Sequence, residues 1–284
     1  MTVHKVSLLG HPVAHSLSPR FQQAALDAAG VDATYEAWDT PDGDLADAVA
    51  RLRAAGMLGA NVTVPHKVAV MDMLDAVDSL AERVGAVNTI VQRDGALHGT
   101  NTDVHGVLTA LRDADVDIRG SRVVLFGAGG AARAVVVAMC EGGASALTIA
   151  NRTEAKAQAL ADSSGDDLPI DVCVLDSTSS SLRAAMDAAS LVINSTSLGM
   201  RHGPDEEATP LPAELFHSGQ TAFDLVYAPE RTPFLGAAEQ GGARSIGGLA
   251  MLIHQGAEAF RLWTGQEPPL DVMFAAVRSS LGEG

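Results

Sequence analysis

One lysine lies where an ordinary helix would not place a cation. Residues 61–67 read Asn-Val-Thr-Val-Pro-His-Lys, and Pro65 predicts a helix start with Lys67 one turn inside the helix. A helix N-terminus carries partial positive charge and favours acidic side chains. Lys67 could extend its ammonium group into water, or it could serve chemistry beside a carboxylate from elsewhere in the chain. This segment alone leaves both interpretations open.

A glycine-rich turn in the middle of the chain has the spacing of a dinucleotide-binding loop. Residues 127–132 read Gly-Ala-Gly-Gly-Ala-Ala, after an apolar run at 123–126 and before a predicted helix at 131–141. In such a loop the first glycine forms the turn and the second lets a pyrophosphate approach the helix N-terminus. The strand before it and the helix after it make the motif a strong one, and a tight turn without a ligand is the alternative.

The residues after the next predicted strand favour NADP over NAD. An NAD-binding loop is followed about 20 residues later by an acidic residue. Here the strand ends in Asn151-Arg152-Thr153, and Lys156 follows one turn later. A guanidinium group can pair with a 2′-phosphate and gains little from a bare ribose. The alternative is that Arg152 and Lys156 are solvated surface charges and that Thr153 only caps a helix.

Polar side chains also follow the predicted strands of the first hundred residues. Ser18 is explained as the N-cap of a helix, whereas Ser16 has no such explanation. Asn88 begins a strand, and Asp103 begins a helix, where it could be only an N-cap. Each of them alone is more often structural than catalytic. Together with Lys67 they lie beyond strand carboxyl ends, where an open α/β sheet binds ligands, and they suit a small polyhydroxylated acid.

A predicted helix from about Gly248 carries one further candidate. Its apolar residues repeat at helical spacing and form one stripe: Leu249, Leu252, Ile253, Gly256, Phe260 and Trp263. At 100° per residue Gln255 lies at the edge of the stripe and His254 on the far side. We therefore expect His254 to face solvent and Gln255 to reach a cleft.

The elements that must position these groups alternate between strand and helix, which predicts an α/β fold with mostly parallel sheets. We predict strands at 6–9, 34–38, 60–64, 87–92, 96–100, 123–126, 147–150, 170–174, 191–194 and 221–226. Asp94-Gly95 predicts a hairpin turn, and residues 199–212 read as a long loop. Further helices are expected after Pro19, at 44–55 and at 103–113.

Composition limits the classes of function. The 284 residues are 47% hydrophobic and 19% charged, which is ordinary for about two globular domains. A formal charge of −16 argues against nucleic acid or an anionic membrane surface as a partner. The nine histidines and two cysteines show no metal-binding spacing, so no metal is expected. No transmembrane run or secretory signal is expected, and we predict a cytoplasmic protein.

Eight motifs occur in one order along the chain, and the set resembles the shikimate dehydrogenase family. They are SLSP at 16–19, NVTVPHK at 61–67, GAVNT at 85–89, NTD at 101–103, GAGGAAR at 127–133, NRT at 151–153, DLVYAP at 224–229, and Gln255. No single motif is decisive, but eight in register are specific and cover almost the whole chain. Lys156, where the family often has Arg, and Leu225, where Met is common, depart from the pattern.

The resemblance implies NADPH-dependent reduction of 3-dehydroshikimate to shikimate in chorismate and aromatic amino acid biosynthesis. It implies a substrate-binding catalytic domain at 1–103 with 249–284, to which the C-terminal helices return, and a Rossmann-type NADP-binding domain at 104–248. It makes Lys67 and Asp103 the catalytic pair. The implied substrate contacts are Ser16, Ser18, Thr63, Lys67, Asn88, Asp103, Tyr227 and Gln255. The implied cofactor contacts are Gly127, Ala128, Gly129, Gly130, Ala131, Asn151, Arg152, Thr153, Lys156, Leu225 and Gly248.

Two rival functions are open. A quinate or quinate/shikimate dehydrogenase would differ by accepting one more ring hydroxyl near Ser16, Ser18 and Thr63. A non-catalytic NADP-binding regulator would keep the fold without turnover, although the presence of both Lys67 and Asp103 argues against it. The sequence also leaves open whether the protein is a monomer or a homodimer.

Overall fold

The computed structural model of the protein describes residues 4–203 and 205–281. Its strands are β1 His4–Gly10, β2 Ala33–Asp39, β3 Met57–Val62, β4 Ala76–Val77, β5 Thr89–Arg93, β6 Ala96–Thr100, β7 Arg122–Phe126, β8 Ala146–Asn151, β9 Ile170–Val174, β10 Leu191–Asn194, β11 Thr221–Asp224 and β12 Arg244–Ile246. Its α-helices are α1 Ser18–Ala28, α2 Leu45–Arg51, α3 Ser79–Val84, α4 Asp103–Asp113, α5 Gly130–Gly142, α6 Glu154–Asp162, α7 Ser180–Ala188, α8 Pro233–Gln240, α9 Leu249–Thr264 and α10 Leu270–Leu281.

The chain divides into two compact units. The first contains the residues up to Gly106 and those from Ile253 onward, and the second is Val107–Leu252. Both divisions fall inside helices, α4 and α9, about one helical turn beyond the boundaries that we predicted at 103 and 248. Among the described residues no helix has the length and hydropathy of a membrane span.

The first unit is built on a six-stranded mixed sheet in the order β2-β1-β3-β5-β6-β4. β1 pairs in parallel with β2 and β3, and β4 with β6, whereas β5 is antiparallel to both β3 and β6. The β5–β6 hairpin turns at Asp94 and Gly95, whose φ angles are 52° and 84°. Both values lie in the left-handed region that the predicted Asp-Gly turn requires, so the hairpin is confirmed.

The C-terminal helices pack on this first sheet, as predicted. Trp263 of α9 donates its indole N–H to the carbonyl of Ile90 in β5 at 2.9 Å, and its ring lies 6.2 Å from that of Tyr35. α10 packs against α1, where Arg20 donates to the Ser280 hydroxyl at 2.7 Å. The residues that follow the second unit thus complete the core of the first.

The prediction that His254 faces solvent is wrong. Its side chain is buried, and its ring meets that of Phe274 edge-on at 6.0 Å. Ile253 and Phe260 are fully buried, as expected for members of the apolar stripe. The far side of α9 is covered as well, since α10 supplies Phe274.

The prediction of a helix opened by Pro65 is also wrong. Residues 64–70 form consecutive turns, and only a short 3-10 turn follows at Met71–Met73. The carbonyl of Lys67 accepts the Val87 N–H at 2.7 Å and not an α-helical bond from residue 71. The Met71 N–H donates to Val68 instead, at 3.2 Å. The helix-dipole objection to a cation at Lys67 therefore does not apply.

The structure reverses the expectation for Ser16 and Ser18. Ser18 was predicted to cap α1 and Ser16 had no structural explanation, but it is Ser16 that makes the local hydrogen bond. α1 begins at Ser18 with Pro19 in its first turn, and Leu17 is the N-cap residue. The Ser16 hydroxyl accepts the Ser18 N–H at 3.3 Å. Ser16 thus has a local structural role, whereas the Ser18 side chain makes no capping hydrogen bond.

The second unit is a six-stranded parallel sheet in the order β9-β8-β7-β10-β11-β12. Numbered within the unit, this is 3-2-1-4-5-6, the strand order of a Rossmann fold. Its core includes Phe126, Phe216 and Phe234, with ring centroids 5.7–6.1 Å apart for the two pairs that meet edge-on. The order reverses between β7 and β10, so a crevice is expected where these two strands end.

Candidate active site

Lys67 and Asp103 form an ion pair in the first unit. The Lys67 Nζ lies 2.5 Å from Asp103 Oδ2, and the two side chains are 15% and 5% exposed. Lys67 therefore does not extend into water, and the chemical interpretation of its position is favoured. Two charges so shielded from solvent interact more strongly than a surface pair. The arrangement suits proton donation from the ammonium group to a bound oxygen.

Asp103 is more than a helix cap. Its own N–H donates to the Asn101 side-chain oxygen at 3.0 Å, so Asn101 supplies the polar partner at the start of α4. The Asp103 Oδ1 accepts from Asn88 Nδ2 at 2.8 Å, and Oδ2 faces Lys67. With both oxygens engaged, the carboxylate has one fixed orientation.

Asn88 connects this pair to its surroundings. Its side-chain oxygen accepts the Thr102 N–H at 2.8 Å, while its Nδ2 lies 3.0 Å from the Thr102 hydroxyl and 3.4 Å from Gln255 Oε1. Asn61, in β3, donates to the Asn88 carbonyl at 3.2 Å. The supporting roles of Asn61 and Thr102 were missed at the level of sequence. The available signal was a polar residue, Asn61, in the middle of an apolar strand.

Gln255 reaches the same cluster from α9. Its side chain is 8% exposed, in keeping with a position at the edge of the apolar stripe. The carbonyl of the next residue, Gly256, accepts from Gln22 Nε2 of α1 at 2.9 Å. A Cβ at Gly256 would lie 2.4 Å from the Phe21 ring, so only glycine lets α9 approach α1 this closely. The structure thus brings Lys67, Asn88, Asp103 and Gln255 together.

Of the other three predicted substrate contacts of the first unit, Ser16 lies in the loop after β1, Ser18 begins α1, and Thr63 follows β3. The Thr63 N–H donates to the Leu9 carbonyl at 2.8 Å, and a Cβ at Gly10 would lie 2.3 Å from Thr63 Cγ2. The ends of these two strands are therefore adjacent. Within residues 4–203 and 205–281, no hydrogen bond joins Ser16, Ser18 or Thr63 to the Lys67 cluster, and their role in binding stays a prediction.

The glycine loop of the second unit fits a pyrophosphate. Gly127 has φ 104°, a backbone conformation that favours glycine. A Cβ added to Gly127 would also lie 2.7 Å from the Ser195 hydroxyl, which donates to the Phe126 carbonyl. At Gly129 a Cβ would meet nothing within 4 Å. α5 then begins without a side-chain cap or an acidic residue in its first turn. Its N–H groups and the open space at Gly129, with Ala128, Gly130 and Ala131 alongside, can accept an anion.

Two cations follow the strand next to the glycine loop. Asn151 ends β8 and donates to the Thr153 carbonyl at 2.8 Å, while Arg152 and Lys156 are exposed. Neither cationic side chain has an ion pair or hydrogen bond within the described part of the chain. Thr153 occupies the N-cap position of α6, but its side chain makes no capping bond. Both cations are therefore available to a phosphate.

The remaining cofactor and substrate candidates of the second unit lie around the end of β11. Leu225 and Tyr227 follow this strand and are half-buried. A Cβ at Gly248 would lie 2.6 Å from the Leu225 carbonyl oxygen, so glycine is required where the chain passes this segment. The structure places these three residues within one unit, and their contacts with ligands stay predictions.

A buried carboxylate fixes the segment with Leu225 and Tyr227. Asp224 is fully buried and accepts from Asn194 Nδ2 at 2.9 Å, the Val226 N–H at 3.0 Å and the Thr232 hydroxyl at 2.6 Å. Burial raises the pKa of this carboxyl to about 6, and the three hydrogen bonds oppose that rise. Asp224 thus ties the ends of β10 and β11 to the start of α8.

Comparison with known proteins agrees with this geometry. Residues 8–90 match the shikimate dehydrogenase substrate-binding domain, 109–201 the shikimate/quinate 5-dehydrogenase domain, and 248–278 the shikimate 5′-dehydrogenase C-terminal domain. The shikimate dehydrogenase (NADP(+)) of Moorella thermoacetica is 51% identical over 278 residues, covering 98% of this chain and 93% of that protein.

Solved structures give the same relationship. Shikimate 5-dehydrogenase from Thermus thermophilus, in complex with NADP(H) and shikimate, has a TM-score of 0.87 and 42% identity, covering 98% of this chain and 100% of that one. Quinate dehydrogenase from Corynebacterium glutamicum in complex with NAD has a TM-score of 0.86 and 31% identity, covering 97% and 99%. On the full-length similarity to its relatives, this chain belongs to the shikimate dehydrogenase family.

Proposed function

We propose that this protein interconverts 3-dehydroshikimate and shikimate with NADP(H), as a step of chorismate and aromatic amino acid biosynthesis. The observation that carries the proposal is the shielded Lys67–Asp103 pair, 2.5 Å apart, in a chain 51% identical to an NADP-dependent shikimate dehydrogenase. Exposed Arg152 and Lys156 after β8 support NADP as the nucleotide.

The chain's own groups perform the proton transfer. NADPH, when bound at the glycine loop, would supply the hydride for the carbonyl carbon of the substrate. Lys67 then gives one proton from Nζ to the developing alkoxide oxygen. Asp103 stabilises the ammonium form before the transfer and keeps Nζ in place after it. Asn88 holds the Asp103 carboxylate through Oδ1, so that Oδ2 is directed at Lys67.

The side chains proposed to hold the substrate are polar: Ser16, Ser18, Thr63, Asn88, Tyr227 and Gln255. Hydroxyls and amides can both donate to and accept from ring hydroxyl groups. The proposed cofactor contacts are those of the glycine loop, of residues 151–156, and of Leu225 and Gly248.

Quinate is the second candidate substrate, because quinate dehydrogenase from Corynebacterium glutamicum has a TM-score of 0.86 against this chain. That protein was solved with NAD, whereas this chain has Arg152 after β8 and no acidic residue there. Shikimate and NADP are therefore favoured. A non-catalytic regulator is disfavoured because it would have no need for a shielded ammonium–carboxylate pair.

The direct test is turnover by the purified protein. Oxidation of NADPH is followed at 340 nm in the presence of 3-dehydroshikimate, and the product is identified by chromatography against shikimate. We expect stoichiometric formation of shikimate and NADP. Tight NADPH binding without turnover would instead support the regulator.

We further propose that the enzyme works in the cytoplasm. Cys173 has a free, buried thiol in the described structure, which suits a reducing compartment. A homodimer stays a prediction that light scattering of the purified protein would test.

A further inference from the structure

The side chain next to Lys67 in the sequence is buried although its segment is not. Val64 and Val68 are 66% and 49% exposed, whereas His66 is 1% exposed. The His66 Nε2 lies 2.6 Å from the carbonyl oxygen of Thr40. Because a carbonyl oxygen only accepts, Nε2 must carry the proton of this hydrogen bond. The other ring nitrogen, Nδ1, lies 3.8 Å from Oδ1 of Asp42.

The acceptor of this hydrogen bond is itself held in place. Thr40 is buried, its N–H donates to the Gly10 carbonyl at 2.8 Å, and its hydroxyl donates to the Trp38 carbonyl at 2.8 Å. Gly10 in turn packs against Thr63 and Val64. A Cβ added to Gly10 would lie 2.3 Å from Thr63 Cγ2 and 3.0 Å from the Val64 carbonyl oxygen. The Thr40 carbonyl is thus a fixed point where β1, β2 and β3 end.

The segment that carries Lys67 is held by separate backbone hydrogen bonds: the His11 N–H donates to the Val64 carbonyl and the Val70 N–H to the His66 carbonyl, each at 3.0 Å. Residues 64–70 are turns without the continuous hydrogen bonds of an α-helix, and the Lys67 backbone is anchored by one bond from Val87. A side chain on such a segment is placed by whatever anchors its neighbours. His66 is the adjacent anchor: its acceptor Thr40 follows β2, whereas Val87 precedes β5, on the other side of β3 in the sheet order.

We propose that His66 is a positioning residue for the reaction. Its hydrogen bond to Thr40 fixes the turn segment so that the Lys67 Nζ meets Asp103 and the substrate oxygen. The inference rests on the proposed function, because it assigns the effect of His66 to proton donation by Lys67. A displacement of about 1 Å in a catalytic group can cost about a hundredfold in rate.

Three substitutions separate the hydrogen bond from the bulk of the ring. His66→Gln can place an amide N–H near the position of Nε2, His66→Phe fills the volume without a donor, and His66→Asn is polar but too short to reach Thr40. We expect kcat to fall at least about tenfold in the Phe and Asn variants and to be largely retained in the Gln variant. KM for shikimate should change little in all three.

The isotope effect reports on the chemical step, which a general loss of stability would not change. With NADPH deuterated at the transferred hydrogen, the effect on kcat should increase in His66→Phe, because a misplaced lysine makes the chemical step more rate-limiting. Thermal unfolding of each variant measures the folded fraction. His98→Phe, an exposed histidine of β6, is the matched control and should keep wild-type kcat.

Wild-type kcat in both the Phe and the Asn variant would overturn the inference while leaving the proposed function intact. Equal losses in all three variants with an unchanged isotope effect would also overturn it, because the hydrogen bond would then not be the cause. If the wild-type protein does not turn over 3-dehydroshikimate, the proposed function fails, and this inference fails with it.

Discussion

The Lys67 ammonium nitrogen lies 2.5 Å from one carboxylate oxygen of Asp103, although the two residues come from unrelated parts of the first unit. Lys67 stands in an irregular turn after β3, and Asp103 is the first residue of α4. Asn88 holds the second carboxylate oxygen at 2.8 Å. Asp103 thus holds the Lys67 ammonium group, the proposed proton donor, in a fixed position, and the proposed mechanism depends on that position.

Replacement of the lysine should slow the reaction more than it weakens binding. We expect Lys67→Ala to lower kcat by about 10²–10⁴, the usual effect of removing a positioned proton donor. KM for shikimate should change less, because the transferred proton matters mainly in the transition state. Lys5→Ala, which breaks the exposed ion pair with Glu36, is the control and should be close to wild type. A near wild-type kcat in Lys67→Ala would remove this residue from the mechanism.

The guanidinium after β8 should discriminate between the two nucleotides. We expect Arg152→Ala to raise KM for NADP by roughly 10- to 150-fold, since a charge-assisted hydrogen bond is worth about 1.5–3 kcal/mol. KM for NAD should be almost unchanged, because NAD lacks the 2′-phosphate. Arg119→Ala, an exposed arginine of the same unit, is the matched control. Equal losses for NADP and NAD would show that Arg152 is structural.

Substitutions of the adjacent residues Gln255 and His254 on α9 should affect different properties: substrate binding for Gln255 and stability for His254. Gln255→Leu keeps the helix and removes the amide, so we expect shikimate binding to weaken by about 1–3 kcal/mol with little loss of thermal stability. His254→Ala should instead lower stability, because it removes a buried ring that packs on Phe274. Shikimate KM and thermal unfolding of both variants check this. Weaker shikimate binding in His254→Ala alone would contradict the site map.

The buried carboxylate of Asp224 should lower stability as pH rises. Its folded pKa of about 6 is above the ordinary value of 3.8, so the folded state binds the proton more tightly. The contribution of this group is therefore fully present below about pH 4 and is lost as pH rises toward 6. A shift of about two units corresponds to about 3 kcal/mol.

Asp224→Asn isolates this effect. Urea unfolding of variant and wild type is compared at pH 4 and pH 7, because several carboxyl groups with lowered pKa change stability in the opposite direction: Glu36, Asp75, Asp176 and Glu239. Relative to wild type, the variant should gain about 2 kcal/mol between the two pH values, because the unfolded carboxyl is already partly ionised at pH 4. A difference independent of pH would show that Asp224 does not titrate in this range.

Local patterns were sufficient for much of the fold. The bounds of β6, β9, β10 and α4 agree with prediction, because short apolar runs between turn signals define strands well and the Asp-Gly turn set the hairpin. The strand, glycine loop and helix order likewise identified the nucleotide-binding unit. These signals depend on neighbours in the sequence.

The errors have long-range causes. The Lys67 segment departs from a helix where the Lys67 carbonyl accepts from Val87, in the region before β5, and not from residue 71. His254 is buried because α10 covers a face of α9 that the apolar stripe alone leaves open. The central position of Asn88 depends on Thr102 and Asp103 at the start of α4 and on Gln255 of α9, which are distant from it in the sequence. No local pattern contains these contacts.

The most direct test of the proposed reaction is a comparison of initial rates of the purified protein with shikimate and with quinate, each with NADP and with NAD. We expect kcat/KM to be highest for shikimate with NADP and to fall when either the acid or the nucleotide is exchanged. Higher kcat/KM with quinate and NAD, or no turnover in any of the four combinations, would contradict it.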